Sequence, residues 1–327
     1  MQRREFIGLL GVATATVPFD GHNETYAADA FPSRAVTIVV PYPPGGPIDT
    51  VARLIAQEND LGQSIVIDNR PGASGIIGTN AVARAEPDGH MLVLGSNQTH
   101  ATNQSLIKNC PYNAVRDFSP VAGIAAMPHV LVVRKDLAAT DVAGLAATAR
   151  EKPGSLTYGS PGNGSGAHLA TELFKSKAGV DILHVPFKGL APMTTELLAG
   201  RIDMSIAPLP GLIAQLIEAG NVRALGIASA RRDAQLQSIP TIAEAGVAGV
   251  EADAWAALFA PARTPSAIIA RLYHTVEAAL TKDWVRTNLA KQGIPVALTT
   301  PAAVTAMLPA EVAKWAGVIK AAQITAE

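Results

Sequence analysis

The chain has 327 residues and a formal net charge of −1, and 48% of its residues are hydrophobic but only 5% are aromatic. A charge balance this close to neutral argues against nucleic acid as a partner, because phosphate binding needs an excess of basic side chains. Cys110 is the single cysteine, which excludes an intramolecular disulfide and disfavours a cysteine-based metal site.

The N-terminus has the pattern of an export signal. Arg3 and Arg4 precede an apolar run that extends from Phe6 to Val17, and Ala28-Asp29-Ala30 matches an A-x-A cleavage site. The run is shorter than the roughly 20 residues that cross a bilayer. We therefore predict a signal peptide over residues 1–30 and a mature protein in the periplasm. The arginine pair fits twin-arginine export, and Sec export stays open.

The first half of the mature chain repeats a strand followed by a helix. Apolar runs at residues 36–40, 64–67 and 91–94 predict buried strands. Helical spacing of Val51, Leu54 and Ile55 follows the first strand, and a second helix is predicted around residues 79–84. This βαβαβ order implies parallel strands with right-handed crossovers.

The second half follows the same pattern, and the chain then ends in two helices. Strands are predicted at residues 156–158, 182–185, 202–206 and 224–227, with helices near residues 167–177, 193–199 and 212–219. Thr264 and Thr300 each precede a proline and are the predicted N-caps of the two terminal helices, with Pro265 and Pro301 at the first helical position.

Two such βα units in roughly 300 residues predict an α/β protein with two lobes and a parallel-rich sheet in each. The apolar stretch at residues 121–133, with Pro128 in its middle, is the predicted crossing between lobes, and residues 254–259 are the predicted return. This gives lobe 1 over residues 31–128, lobe 2 over residues 129–253, and a return crossing with lobe 1 helices over residues 254–327.

The loops that follow the predicted strands are rich in glycine, proline and short polar residues. They cover residues 41–49, 95–100, 159–166 and 186–189. Ligands of parallel α/β sheets bind beyond the carboxyl ends of the strands. Backbone amides and hydroxyls at helix starts can hold an anion without a buried lysine or arginine, so these loops favour a carboxylate ligand.

Six motifs, in order along the chain, carry a resemblance to a known family. They are VVPYPPGGPID at residues 39–49, DNRPGASG at 68–75, AEPDG at 85–89, YGSPGNGS at 158–165, HVPFKG at 184–189 and PTIAEAG at 240–246. The chain resembles the Bug family, the TctC-type periplasmic receptors of tripartite tricarboxylate transporters. The resemblance implies a type II-like Venus-flytrap fold whose cleft closes on a small carboxylate, such as a di- or tricarboxylate, an acidic amino acid or an aromatic acid.

The resemblance also implies delivery of the solute to TctA/TctB-type membrane subunits, and contacts made largely by main-chain groups and water. We expect a monomer with no cofactor and no metal. The candidate ligand-binding residues are Tyr42, Gly45, Gly46, Asp49, Ser96, Gln98, Thr99, His100, Ser160, Asn163, Ser165, His168, Phe187, Gly189 and Asp203. Gln98 departs from the family, which commonly has a small residue there, so this side chain could narrow the pocket or add a contact.

Several of these residues also have structural interpretations. Asp49 could favour only a helix dipole, and Asp203, among apolar residues, could be a structural hydrogen-bonding group. Tyr42 and Phe187 could pack under their own loops, and Trp255 on the return crossing could either pack at the hinge or stack on a ligand. The seven histidines show no i, i+4 pair of the kind that binds metal on a helix.

Two other functions compete with transport. A serine hydrolase would use Ser165 and His168, but Asn163 stands where a G-x-S-x-G elbow needs its first glycine, so we expect no enzyme activity. A receptor for a membrane sensor kinase would have the same fold and pocket, and the sequence does not separate it from a transport receptor.

Overall fold

The structure, a computed structural model, describes residues 31–209 and 211–325. The predicted signal peptide lies outside the described residues. The described part of the chain forms two α/β lobes, each built on one mixed sheet.

The strands are β1 (Val36–Val40), β2 (Ile65–Asn69), β3 (Met91–Ser96), β4 (Phe118–Met127), β5 (His129–Arg134), β6 (Thr157–Ser160), β7 (Leu183–Pro186), β8 (Met204–Pro208), β9 (Val222–Ile227), β10 (Ala254–Pro261) and β11 (Val296–Thr299). The α-helices are α1 (Pro47–Gln57), α2 (Ile76–Ala83), α3 (Asn103–Leu106), α4 (Val142–Glu151), α5 (Gly166–Ala178), α6 (Leu190–Leu198), α7 (Leu212–Glu218), α8 (Ser266–Leu280), α9 (Asp283–Lys291) and α10 (Pro301–Ala321). A π-helical turn, Gln98–Thr102, leads directly into α3.

The first lobe has a six-stranded sheet in the order β11-β4-β10-β3-β1-β2. Strand β1 is parallel to both β2 and β3, which confirms the predicted βαβαβ unit. Its valine and isoleucine side chains are buried on both faces, as expected of an interior strand. Strand β10 is antiparallel to β3 and β4, and β11 is antiparallel to β4. The sheet is therefore mixed rather than parallel-rich.

The second lobe has a five-stranded sheet in the order β7-β6-β8-β5-β9. Strand β6 is parallel to β7 and β8, whereas β5 is antiparallel to β8 and β9. The antiparallel pairs in both lobes involve the strands that enter or leave a lobe. Strands β10 and β5 run against the direction of the βα units beside them, which local periodicity does not reveal.

The chain passes from the first sheet to the second at Pro128, between the end of β4 and the start of β5. The predicted long crossing at residues 121–133 is thus two strands with one residue between them. Its return strand lies beside it, because Ala254 pairs with Met127. The amides of Leu209 and Ala228 donate to the carbonyls of Pro128 and His129. Backbone hydrogen bonds therefore fix the crossing residue Pro128 and its neighbour His129 to the second lobe.

The two terminal helices differ in how they begin. Thr300 is the N-cap of α10, and its hydroxyl accepts from the Ala303 amide, as predicted. The prediction for Thr264 is wrong, because the N-cap of α8 is Pro265. The Thr264 hydroxyl instead donates to the Pro261 carbonyl at 2.8 Å, within the turn that follows β10.

Helix α10 is long and apolar enough, by length and composition, to cross a membrane. Here its Leu308 and Trp315 side chains are buried in the core. Its Glu311 carboxylate accepts from the indole N–H groups of both Trp255 and Trp315 at 3.1 Å. These contacts make α10 part of the packed protein and tie it to β10.

Candidate functional site

Two adjoining cavities lie where the carboxyl ends of β1, β3, β6 and β8 face each other across the lobes. The first, of about 340 Å³, is lined by Tyr42, Ser96, Asn97, Gln98 and Thr102 from the first lobe, by His129, Pro161, Gly164, Ser165, Gly166, Ala167, Leu169 and Pro208 from the second, and by Ala254. The second, of about 550 Å³, shares Tyr42, Ser96, Asn97 and Ala254 with it and adds Pro43, Pro44, Gly45, Gly46, Pro47, Ile48, Met127 and Trp255. None of these lining side chains, all in the described part of the chain, is acidic or a lysine or arginine.

The first-lobe wall is organised around the Tyr42 hydroxyl. It shares a 2.7 Å hydrogen bond with the Ser96 hydroxyl and lies 3.4 Å from Oε1 of Gln98. Burial raises the pKa of Tyr42, so its hydroxyl stays protonated near neutral pH. Ser96 Oγ also accepts from the Gln98 amide. The Gln98 side chain thus occupies space between the lobes that a small residue would leave open.

Asp49 does not line either cavity but supports the first-lobe wall through its hydrogen bonds. It is 2% exposed, and its carboxylate accepts from the Gly45 amide, Arg53 Nε and Asn69 Nδ2 at 2.8–2.9 Å. Burial acts to raise the pKa of Asp49, but these three hydrogen bonds together hold that pKa below its ordinary value. Gly45 has φ +85° and so adopts a conformation that favours glycine. Asp49 therefore stays ionised and fixes the loop that contains Gly45 and Gly46.

The second-lobe wall is the start of α5. Ser165 caps this helix, because its hydroxyl accepts from the His168 amide. The amides of Gly166 and Ala167 precede the first intrahelical bonds, and both residues line the cavity. These amides and the α5 dipole present partial positive charge to the space between the lobes.

The loop before α5 is supported from beneath by two stacked histidines. His168 Nδ1 accepts from the Gly164 amide at 3.0 Å, and His184 Nε2 shares a 2.7 Å hydrogen bond with Ser160 Oγ. Their rings stack 4.0 Å apart. Burial lowers the pKa of both, for His184 to about 4, so both rings are neutral at pH 7. Ser160 and His168 thus position the loop and do not line either cavity.

Other predicted site residues lie away from the cavities. Thr99 and His100 are fully buried in the first lobe, where the His100 ring stacks on Phe259 at 3.9 Å. Asp203 precedes β8 at its amino end, opposite the cavities, and accepts from Arg134 Nε and the Thr157 amide. Short-range sequence could not reveal these positions, because the facing direction of each side chain depends on the packing of the π-helical turn and of β8.

Three further predicted residues belong to the rim or the support of the second lobe. Asn163 is on the exposed part of its loop. Phe187 packs against the core of that lobe, and its amide donates to the Ser160 carbonyl. Gly189 is the N-cap of α6, and its amide donates to Pro161. The structure therefore gathers Tyr42, Gly45, Gly46, Ser96, Gln98 and Ser165 around the cavities.

The cavities are also lined by residues that the sequence did not mark as candidates, among them Asn97, Met127, His129, Pro208 and Ala254. Asn97 lies within a loop that the strand pattern had marked, so it could have been included. Trp255 lines the second cavity while its indole N–H bonds to Glu311. Trp255 is therefore both anchored to α10 and part of the cavity wall.

In the described part of the chain, the predicted alternative pair Ser165 and His168 is not arranged as a nucleophile and its base. Ser165 and His168 are joined through the His168 backbone amide, and the ring Nδ1 of His168 is taken by Gly164, so no hydrogen bond joins the Ser165 hydroxyl to the His168 ring. Ser160 Oγ does bond to His184 Nε2, but Ser160 is fully buried and lines neither cavity. Across residues 31–209 and 211–325, no group of three or more histidine, cysteine or acidic side chains could hold a metal ion.

A larger groove of about 560 Å³ lies between α4, α5 and the end of α10. Its two basic groups are already bonded, because Arg150 donates twice to the Ala178 carbonyl and Lys175 bonds to Glu172. Asp181 adds a negative charge to the same groove. The space between the lobes, with uncommitted amides on a helix start, is therefore the better candidate for a small anionic ligand.

Residues 51–324 match the sequence model of the tripartite tricarboxylate transporter family receptor, TctC. The chain belongs to this family. It is 34% identical over 323 residues to Protein BugT of Bordetella pertussis, and the match covers 98% of each chain. The TctC family consists of solute-binding receptors and not of enzymes.

Two solved structures have a similar fold. Rpa4515 of R. palustris, solved with adipate, is 42% identical with a TM-score of 0.71, covering 90% of this chain and 99% of that one. MatC of Rhodopseudomonas palustris, solved with malate, is 36% identical with a TM-score of 0.68, covering 88% of this chain and 100% of that one. These comparisons confirm the predicted family and the two-lobed fold.

Proposed function

We propose that this chain is a periplasmic receptor that captures a small carboxylate between its lobes and delivers it to the TctA/TctB-type membrane subunits of a tripartite transporter. The observation that carries the proposal is the interlobe cavity, where the α5 amides face Tyr42, Ser96 and Gln98. TctC relatives solved with adipate and malate support an acidic ligand of four to six carbons.

Neutral donors explain how an acid is held without a cationic side chain. A carboxylate at the start of α5 accepts from the Gly166 and Ala167 amides, and the ligand's far end reaches the hydroxyl and amide groups of the first lobe. Each lobe supplies one part of the contact set. The bound acid therefore favours the state in which the lobes are together, by the difference between its affinities for the closed and open states.

Calorimetric titration of the mature protein with adipate, malate, succinate and citrate tests this function. Hexanoate is the matched control for adipate, because it has the same chain length with one carboxylate fewer. We expect saturable binding of at least one diacid and much weaker binding of the monoacid. Failure of every acid in the panel to bind would refute the carboxylate assignment.

Salt dependence tests the proposed source of the affinity. Fixed amides rather than surface ion pairs hold the ligand, so we expect the dissociation constant to change by less than about threefold between about 0.05 and 0.5 M NaCl. A loss of a hundredfold would show that charged side chains attract the acid.

The cellular setting rests on separate observations and has its own tests. The Arg3-Arg4 pair and the A-x-A site support export to the periplasm. Fractionation of cells that express the full chain checks this location, and replacement of both arginines by lysine distinguishes twin-arginine from Sec export. Light scattering checks the expected monomer. Pull-down against membrane subunits and against a sensor-kinase periplasmic domain separates transport from sensing.

A further inference from the structure

His129 lies at the crossing between the lobes and at the edge of the first cavity. It is the first residue of β5, directly after the crossing residue Pro128, and its side chain lines the first cavity. The residue is only 2% exposed. Its carbonyl accepts from the Ala228 amide at 2.8 Å, which fixes the backbone from which the ring projects.

The ring of His129 lies against the start of α5. A Cβ atom placed on Gly166 would be 3.2 Å from His129 Nε2, so this part of the imidazole faces the helix start. The other nitrogen, Nδ1, is buried and has no hydrogen-bond partner in the described part of the chain. The imidazole therefore borders both the cavity and the start of α5, where the Gly166 and Ala167 amides precede the first intrahelical bonds.

Four other histidines with buried or half-buried rings hydrogen-bond within their own lobes, and one of them, His90, accepts from the Ser33 amide through Nε2. His168 accepts from Gly164, His184 bonds to Ser160, and His100 Nδ1 bonds to the Thr99 hydroxyl at 2.9 Å. Burial lowers the pKa of His129 to about 4, and hydrogen bonding with the Ala252 backbone acts in the opposite direction. His129 is therefore neutral at pH 7 and has one N–H donor and one acceptor.

We propose that His129 is a specificity-determining ligand contact. Its imidazole N–H donates a hydrogen bond to the same carboxylate to which the Gly166 and Ala167 amides donate. This inference rests on the proposed function and adds a side chain to a site otherwise formed by backbone and hydroxyl groups. A third N–H donor favours a carboxylate over a neutral amide or ester of the same shape.

Titration of wild type, His129→Leu and His129→Asn with adipate and malate tests the contact. Leucine removes the donor but keeps a side chain of similar bulk, whereas asparagine restores an N–H donor. We expect about 10- to 100-fold weaker binding for His129→Leu, the usual cost of a lost hydrogen bond to a charged group, and partial recovery for His129→Asn. His274→Asn, on the exposed face of α8, is the matched control and binds as wild type does.

The outcomes separate this inference from the proposed function. If wild type binds a diacid and His129→Leu binds it equally well, the contact does not exist but the receptor function stands. Equal losses in His129→Leu and His129→Asn would show that the ring matters only for its shape. If wild type binds no acid, both proposals fail.

A second measurement observes the hydrogen bond in wild type and needs only one folded variant for assignment. The ring nitrogens of His129 in wild type, labelled with ¹⁵N and assigned by comparison with His129→Asn or His129→Leu, report the hydrogen bond directly. We expect the Nε2 resonance to shift on saturation with the bound diacid while the His274 resonances stay in place. An unchanged His129 resonance at saturation overturns the inference.

Discussion

The buried His100 ring should make the protein sensitive to mild acid. His100 is fully buried, stacks on Phe259 and meets the edge of Phe118, and its Nε2 has no hydrogen-bond partner in the described residues. Burial lowers its pKa from the ordinary 6.5 to about 3. A charge on this ring would have neither solvent nor an acidic partner, so the folded state resists protonation.

The sign and size of the effect follow from proton linkage. Between the two pKa values the unfolded chain binds more protons at this residue, so the stability contribution is complete above pH 6.5 and falls as the pH drops toward 3. From pH 7 to pH 5 the loss at His100 is about 2 kcal/mol, since pH 5 is about 1.5 units below the unfolded pKa. This stability loss depends little on the pKa of His100 in the folded state, because pH 5 lies well above that pKa.

Urea unfolding of wild type and His100→Asn at pH 7 and pH 5 measures this contribution. Asparagine cannot titrate and keeps a polar atom near the Thr99 hydroxyl. We expect His100→Asn to be less stable than wild type at pH 7, but its free energy of unfolding should fall by about 2 kcal/mol less on going to pH 5. The exposed His274→Asn variant should lose as much as wild type. An equal acid loss in wild type and His100→Asn would refute the reasoning.

Three other substitutions test the described contacts. Gln98→Gly should enlarge the cavity and shift preference from malate toward adipate, and an unchanged ratio of dissociation constants would place Gln98 outside the bound ligand's reach. Ser165→Ala removes the cap on α5, so it should lower the free energy of unfolding by about 1 kcal/mol and weaken the affinity for the diacid. Unchanged stability in urea unfolding and unchanged affinity in calorimetry would contradict this. Gly95→Ala places a Cβ atom 2.3 Å from His100 Nδ1, and because that ring is held by Phe259 we expect a loss of about 1–3 kcal/mol in urea unfolding, whereas a loss under about 0.5 kcal/mol would show that the ring can move aside.

The sequence by itself determined the features that depend on neighbours along the chain. The β-branched run Val36–Val40 is a buried strand because its side chains favour extended backbone and bury both faces. Thr300 caps α10 because a hydroxyl and the amide three residues later meet wherever a helix begins after such a residue. The glycine-rich loops end at the interlobe space because parallel strands place their carboxyl ends on one edge.

Tertiary structure decided which side chains turn toward the ligand. Thr99 and His100 follow Gln98 directly, yet the π-helical turn directs them into the core while Gln98 lines the cavity. Asp203 and Pro208 lie near opposite ends of β8, so only the latter reaches the site. His129 lies in an apolar run, and the fold of the second lobe places its ring near the start of α5. Local sequence sets backbone conformation, but burial and orientation depend on residues that are distant in the chain.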